Sequence, residues 1–127
     1  MGIMNIDLKK PVIIVDAIIK GRFIETAKLA LDTGASNVMI PWRIAKALGF
    51  NPEMSNEKTE VITASGTEFA PIIILDSVKV LGNEVKNVRA IVHNLPSKSY
   101  VDGLLGLSFL KNFNVKLNFR EGFLEIE

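Results

Sequence analysis

Apolar positions in this chain fall in short β-branched or alternating runs separated by glycine turns, and that pattern predicts strands over most of its length. Val12-Ile13-Ile14-Val15 and Ile18-Ile19 stop at Lys20-Gly21-Arg22. Phe23-Ile24 then resumes and runs through Thr26 and Leu29 to Leu31, a first hairpin. Residues 60–63 and 69–75, around the break Ala64-Ser65-Gly66-Thr67, read as a second hairpin with a flexible tip. Residues 78–81 and 85–92 flank a Gly82-Asn83 turn and form a third. Residues 115–119 and 123–126 alternate cleanly across Arg120-Glu121-Gly122 and form a fourth.

Two stretches break this rhythm. Ile40, Ile44 and Leu48 recur at i, i+4 and i+8 behind Pro41, and Gly49 supplies a stop, so residues 41–48 read as a short helix. Gly103-Leu104-Leu105-Gly106 is an apolar patch between glycines, followed by a brief helical turn over 107–113. Residues 50–57, with Pro52, and 93–102, with Pro96, read as loops. The whole is an all-β sandwich or barrel-like fold with one or two small helices, and residues 1–127 read as a single domain.

Composition narrows the chemistry. A 48% hydrophobic chain of 127 residues builds a core without staples and is not disordered. Fifteen Lys+Arg against fourteen Asp+Glu leave a net charge of +1, too balanced for a nucleic-acid or membrane-surface footprint. With no cysteine there is no thiol catalysis and no cysteine-ligated metal; with one histidine there is no His-rich metal cluster. Any catalysis therefore leans on carboxylates, hydroxyls or lysines. Met1 to Lys10 carries no apolar run after a basic start, and no stretch approaches the roughly 18 residues of a membrane helix, so the reading is cytoplasmic.

The segment that carries chemistry is Leu29-Ala30-Leu31-Asp32-Thr33-Gly34-Ala35-Ser36. An acid at the end of an apolar strand is costly to bury and needs a reason to be there. Thr33 offers a hydroxyl and a backbone N–H to fix the carboxylate, and Gly34 admits a close backbone or substrate. Taken alone, Asp-Thr-Gly is an ordinary turn former. The apolar strand before it and the Ser36-to-Pro41 helix entry after it make the string specific.

Leu31-Asp32-Thr33-Gly34-Ala35-Ser36 resembles the active-site motif of the retropepsin-like aspartic proteases. Leu104-Leu105-Gly106-Leu107-Ser108-Phe109-Leu110 is similar to that family's second signature, two hydrophobics and a glycine before a short helix. The two motifs keep the family's order and spacing over residues 11–127, with a flap-like hairpin between them. The resemblance implies a closed, mostly β, barrel-like lobe with one or two short helices. It also implies an aspartic endopeptidase that needs no cofactor and no metal. Asp32 supplies one of two catalytic carboxylates that share a proton and activate a water. Of the five aspartates, Asp7, Asp16, Asp32, Asp76 and Asp102, only Asp32 stands in an Asp-Thr-Gly, so the implied enzyme is a homodimer with its site on the two-fold axis.

In that picture Thr33 interlocks with its mate, Gly34 offers its carbonyl to a peptide substrate, and Ala35 lacks the hydroxyl that many two-lobed relatives place there. The last point implies a mildly acidic to near-neutral optimum. Ile62, Ala64, Ser65, Gly66 and Thr67 form the candidate substrate-binding flap, and Leu104, Leu105 and Gly106 the second signature. Substrates are extended peptides or unfolded protein. Ser36 and Leu107 stand where retroviral relatives carry a paired acid and arginine, which points to the cellular and prokaryotic branches; the fourth hairpin is a substitute dimer contact, or simply completes the sheet within one chain.

His93 reads as a surface or half-buried strand-end residue, Asp102 as a turn or capping group, Tyr100 as a loop anchor and Trp42 as helix-surface packing. The alternative function is a non-catalytic dimerisation or peptide-binding module on the same fold. A phosphate loop of the sugar-kinase type is set aside, since that architecture needs two lobes and a second phosphate loop.

Overall fold

The computed structural model describes residues 2–127. Strand formation follows the alternation. In β2 (Ile14–Lys20) Val15, Ala17 and Ile19 point inward while Asp16, Ile18 and Lys20 face out. β3 (Ile24–Leu31) pairs with it antiparallel from Ile14↔Ala30 to Lys20↔Ile24, the predicted first hairpin. The chain continues through β4 (Val38–Ile40) and helix α1 (Trp42–Ala47), which begins directly after Pro41. A single 3-10 turn, Pro52–Met54, interrupts the loop predicted over 50–57.

β5 (Lys58–Thr63) and β6 (Gly66–Val80) form the second hairpin, and β7 (Asn83–Val92) the third. The two strands expected at 69–75 and 78–81 are one 15-residue strand, because inward and outward positions still alternate through Asp76 and Ser77. Asp76 faces solvent, and Ser77, 4% exposed, points into the core with no partner for its hydroxyl among the described residues. The third turn sits one residue earlier than expected. Leu81 (φ 50°) and Gly82 (φ 80°) form a two-residue loop between Val80 and Asn83, and two positive φ values give the twist that a tight hairpin needs.

The apolar patch at 103–105 is a strand, β8 (Gly103–Leu105), and α2 (Leu107–Leu110) is shorter than the turn predicted over 107–113. Asn112 ends it: its side-chain amide donates to the carbonyls of Phe109 at 3.0 Å and Ser108 at 3.4 Å. β9 (Val115–Asn118) and β10 (Phe123–Ile126) close the chain as the fourth hairpin.

β2, β3, β8, β4, β7 and β6 hydrogen-bond in that order, and β6 pairs back onto β2 from Ala17↔Val80 to Lys20↔Ser77. The sheet is a closed six-stranded barrel, which removes its free edges. The seventh strand of this sheet, β5, hangs outside the barrel, on β6. The interior is filled by Val15, Ile19, Leu29, Ile40, Leu75, Leu105 and their neighbours, with α1 and α2 contributing Ile44, Ala45 and Phe109.

A second sheet, in the order β1 (Gly2–Asn5), β10, β9, packs on the barrel. β1 had no strand pattern in the sequence. A Cβ on Gly2 would lie 2.1 Å from Leu81 O, so this strand presses on the β6–β7 turn. Asn83 Nδ2 joins the two sheets by donating to Leu81 O at 3.1 Å and Ile126 O at 3.2 Å. β10 is paired on both sides, so within the last hairpin only β9 presents an open edge. Among the described residues no helix is long and apolar enough to cross a membrane.

Candidate active site

β3 ends at Leu31, and Asp32 turns out of the barrel. Its backbone N–H donates to Leu105 O at 3.1 Å, extending the parallel β3–β8 pairing in which Leu31 lies beside Leu105. Its side chain then folds back, and Gly34 N–H donates to Asp32 Oδ1 at 2.9 Å. Ala35 N–H closes the turn on Asp32 O at 3.2 Å. Asp32 and Ala35 are half-buried, whereas Thr33 and Gly34 are exposed. The second carboxylate oxygen of Asp32 has no hydrogen-bond partner among the described residues.

What fixes this loop is the second signature. β8 lies between β3 and β4, parallel to one and antiparallel to the other through Met39↔Leu104, so residues 32–37 bridge across its end. The crossing requires glycine at both ends of the strand. A Cβ on Gly103 would stand 1.9 Å from Met39 O, and one on Gly106 2.3 Å from Asn37 O and 2.6 Å from Ala35 O. Beyond Gly106, Leu107 N–H donates to Ala35 O at 2.8 Å and Ser108 N–H to Ser36 O at 2.9 Å. Ser108 Oγ accepts from Val38 N–H at 2.9 Å and donates to Arg89 O at 2.8 Å, tying α2, β4 and β7 together. Leu104, Leu105 and Gly106 thus hold the loop that carries Asp32, Thr33, Gly34 and Ala35.

Asp102 lies in the bend before β8 and bonds across to β3. Its carboxylate accepts from Lys28 N–H at 2.8 Å, its own N–H donates to Lys28 O at 2.7 Å, and Arg43 lies 3.3 Å away. Among the described residues no three His, Cys, Asp or Glu side chains group as a metal cage.

The β5–β6 hairpin is tighter than its sequence suggested. Thr63 pairs with Gly66, so only Ala64 and Ser65 form the tip, and the expected four-residue break shrinks to two. Thr63 Oγ1 donates to Gly66 O at 2.9 Å and lies 3.2 Å from Ser65 Oγ; these local bonds let the ladder run to its end. Ile62 is 86% exposed. At the hairpin root Arg89 binds Glu57 through both guanidinium nitrogens, one at 2.7 Å, and this hydrogen bond holds the Glu57 carboxyl below its ordinary range against a smaller opposing effect of desolvation.

Beneath the hairpin runs a groove of about 560 Å³, lined by Met39, Val61, Ile62, Ala64, Ser65 and residues 93–96 among others. Thr67 lines an adjoining groove instead, and Gly66 lines neither. Asp32 is not among the lining residues of either groove. The chain therefore gathers the two signatures into one interlocked unit and the candidate flap residues into another. His93 stands half-buried at the end of β7, as the sequence suggested, but its contact with Glu68 was not foreseen: the two lie 25 positions apart and carry no shared local signal.

Residues 15–112 match the family model described as "gag-polyprotein putative aspartyl protease". The chain belongs to this family. Among solved structures, a retropepsin-like aspartic protease from Rickettsia conorii superposes with a TM-score of 0.75 at 26% identity, covering 98% of this chain and 87% of that one. Two curated proteins also align. The uncharacterized protein RP867 of Rickettsia prowazekii is 38% identical over 88 residues, 68% of this chain and 36% of that protein. An uncharacterized protein in the cobV 5′ region of Sinorhizobium sp. is 28% identical over 111 residues, 81% of this chain and 46% of that protein. The chain thus spans between about a third and a half of these curated relatives. The retropepsin-like family and the mostly β barrel, both expected from the two signatures, are what the structure and the comparisons show.

Proposed function

We propose that this chain is an aspartic endopeptidase domain, active as a homodimer in which each copy supplies one Asp32. The observation that carries this reading is the Asp32 loop itself. One carboxylate oxygen is held by Gly34 N–H, the other has no partner among the described residues, and the flanking Thr33 and Gly34 lie exposed where a second copy can meet them.

In the dimer the two carboxylates share one proton, since two like charges that close do not both ionise. The ionised Asp32 takes a proton from a water whose oxygen forms the new bond to the scissile carbonyl carbon. The protonated Asp32 of the other copy hydrogen-bonds the carbonyl oxygen and gives it its proton, yielding a neutral gem-diol. On collapse one diol hydroxyl returns its proton to a carboxylate, the other Asp32 protonates the leaving nitrogen, and the C–N bond breaks. The dyad ends with the one proton it began with. Gly34 O accepts from the substrate backbone, and residues Ile62 to Thr67 close over an extended peptide. Ala35, which has no hydroxyl to offer the carboxylate, favours a mildly acidic to near-neutral optimum.

The test is cleavage of an unfolded protein by wild type and Asp32→Asn, with molecular mass measured alongside. Asp32→Asn loses at least about a hundredfold in rate, as expected for removal of a general acid–base group, and stays dimeric. Cleavage by a monomer, or full activity in Asp32→Asn, overturns the shared-dyad reading. Peptide binding without turnover in wild type favours a binding module on the same fold.

A further inference from the structure

The flap hairpin is tied to the barrel at two places. At its root Ser55 Oγ donates to Ile72 O at 2.5 Å, Ile72 N–H donates to Glu57 O at 2.9 Å, and Arg89 clasps Glu57. Four residues further out along β6, Glu68 Oε2 lies 3.1 Å from His93 Nε2. Among the described residues this is the one side-chain hydrogen bond between residues 58–69 and the rest of the chain.

Its two ends are mounted differently. His93 N–H donates to Ile40 O at 3.0 Å, prolonging the parallel β4–β7 ladder, and the next residue, Asn94, accepts Trp42 N–H at 3.0 Å through Oδ1. The backbone that carries the imidazole is therefore fixed to the barrel. Glu68 pairs with Val61 on the exposed arm of the hairpin, where 66–69 have no buried position. The pair also stands between two grooves: Glu68, His93 and Asn94 line both the 560 Å³ groove and an adjoining one of about 640 Å³ beside Trp42 and Phe69.

We propose that the Glu68–His93 bond is a latch that holds the flap against the barrel and keeps these two grooves apart; this rests on reading residues 62–67 as the substrate lid. Glu68 and His93 are positioning residues. Without the bond, the hairpin is held only at its root and spends more time lifted. Apparent substrate affinity then falls in proportion to the lost closed fraction, while the chemistry at Asp32 proceeds as before once the lid is down.

Glu68→Ala and His93→Ala are each expected to speed amide hydrogen exchange in residues 60–68 by about two- to tenfold, the range of one hydrogen bond of this kind. They should raise KM only by the factor by which the closed fraction falls, a smaller change than that in exchange while the flap stays mostly closed, and change kcat less than twofold. The double variant should be no worse than either single, and His93→Gln, whose amide can donate to Glu68, should recover most of the loss. Unchanged flap exchange, or losses that add in the double variant, overturns the latch. Exchange is also read in the Asp32→Asn background, so a wild type that cleaves nothing defeats the proteolytic reading while the latch is still decided by exchange alone.

Discussion

The Asp32 loop and the β5–β6 hairpin both reach beyond the barrel strands, yet they are held by opposite means. The loop is pinned by backbone: among the described residues four main-chain hydrogen bonds join residues 32–36 to one another or to residues 105–108, a fifth backbone N–H, that of Gly34, holds the Asp32 carboxylate, and two glycines at the ends of β8 let carbonyls approach to distances no Cβ tolerates. The hairpin is held mainly by side chains, at its root beside one backbone bond from Ile72 N–H to Glu57 O and at one point along its length, with an exposed tip. Backbone bonds in a packed crossing have few alternatives, so the loop's geometry is set by the fold. Exposed side-chain bonds are individually small and reversible, which suits the lid role proposed for this hairpin.

The largest effect is expected where the crossing is tightest. Gly103→Ala puts a Cβ within 1.9 Å of Met39 O, a backbone atom that cannot swing away. Relief requires β8 to separate from β4, and the cost should be about 3 kcal/mol or more, read as a shift of the urea midpoint at constant m. A loss below about 1 kcal/mol would mean that the crossing is softer than its geometry, and the contrast with the hairpin would weaken.

A pair of hydroxyl deletions sharpens the same contrast. Ser108→Ala leaves Val38 N–H and Arg89 O without their partner in a part-buried setting, a cost of about 1–3 kcal/mol. Thr63→Ala removes a comparable number of hydroxyl contacts at the exposed flap tip, where water replaces them, and should stay within about 0.5 kcal/mol. Equal losses in the two variants would contradict the division drawn above.

The same division decides what could be read in the sequence. The Asp32 loop was legible because its chemistry is local: an apolar strand, Asp-Thr-Gly, and a helix entry follow each other within a dozen residues. Glycines flanking two leucines likewise flagged β8, although nothing local revealed that Gly103-Leu104-Leu105 is a strand lying between two others. Asp76-Ser77 looked like a break because polar residues usually mark one; only closure of the barrel, which recruits β6 to pair with β2 as well as β7, keeps the chain extended there. β1 was missed because Gly2 to Asn5 is short, and its strand exists through pairing with β10, more than a hundred residues away. The Glu68–His93 and Glu57–Arg89 contacts lie beyond any periodicity for the same reason.

The smallest expected effect concerns Glu57 and Arg89, and its sign follows from the direction in which the carboxyl is displaced. The hydrogen bond from Arg89 lowers the Glu57 pKa in the folded chain below its ordinary value of 4.5, so the folded state binds this proton less readily than the unfolded state. Stability from the pair is then fully present above the ordinary value and is lost as pH falls through the lowered one. Both partners are solvent-exposed, so the contribution is modest and falls further at high salt. The urea midpoints of wild type and Glu57→Gln should therefore differ by a constant small amount from pH 7 down to about pH 5 and converge on further acidification. Amide exchange near the hairpin root should be faster in Glu57→Gln over the same upper range and match wild type at acid pH. If the two proteins instead diverge on acidification, the pair does not anchor the flap root, and the hairpin's side-chain ties are those of Ser55 and His93.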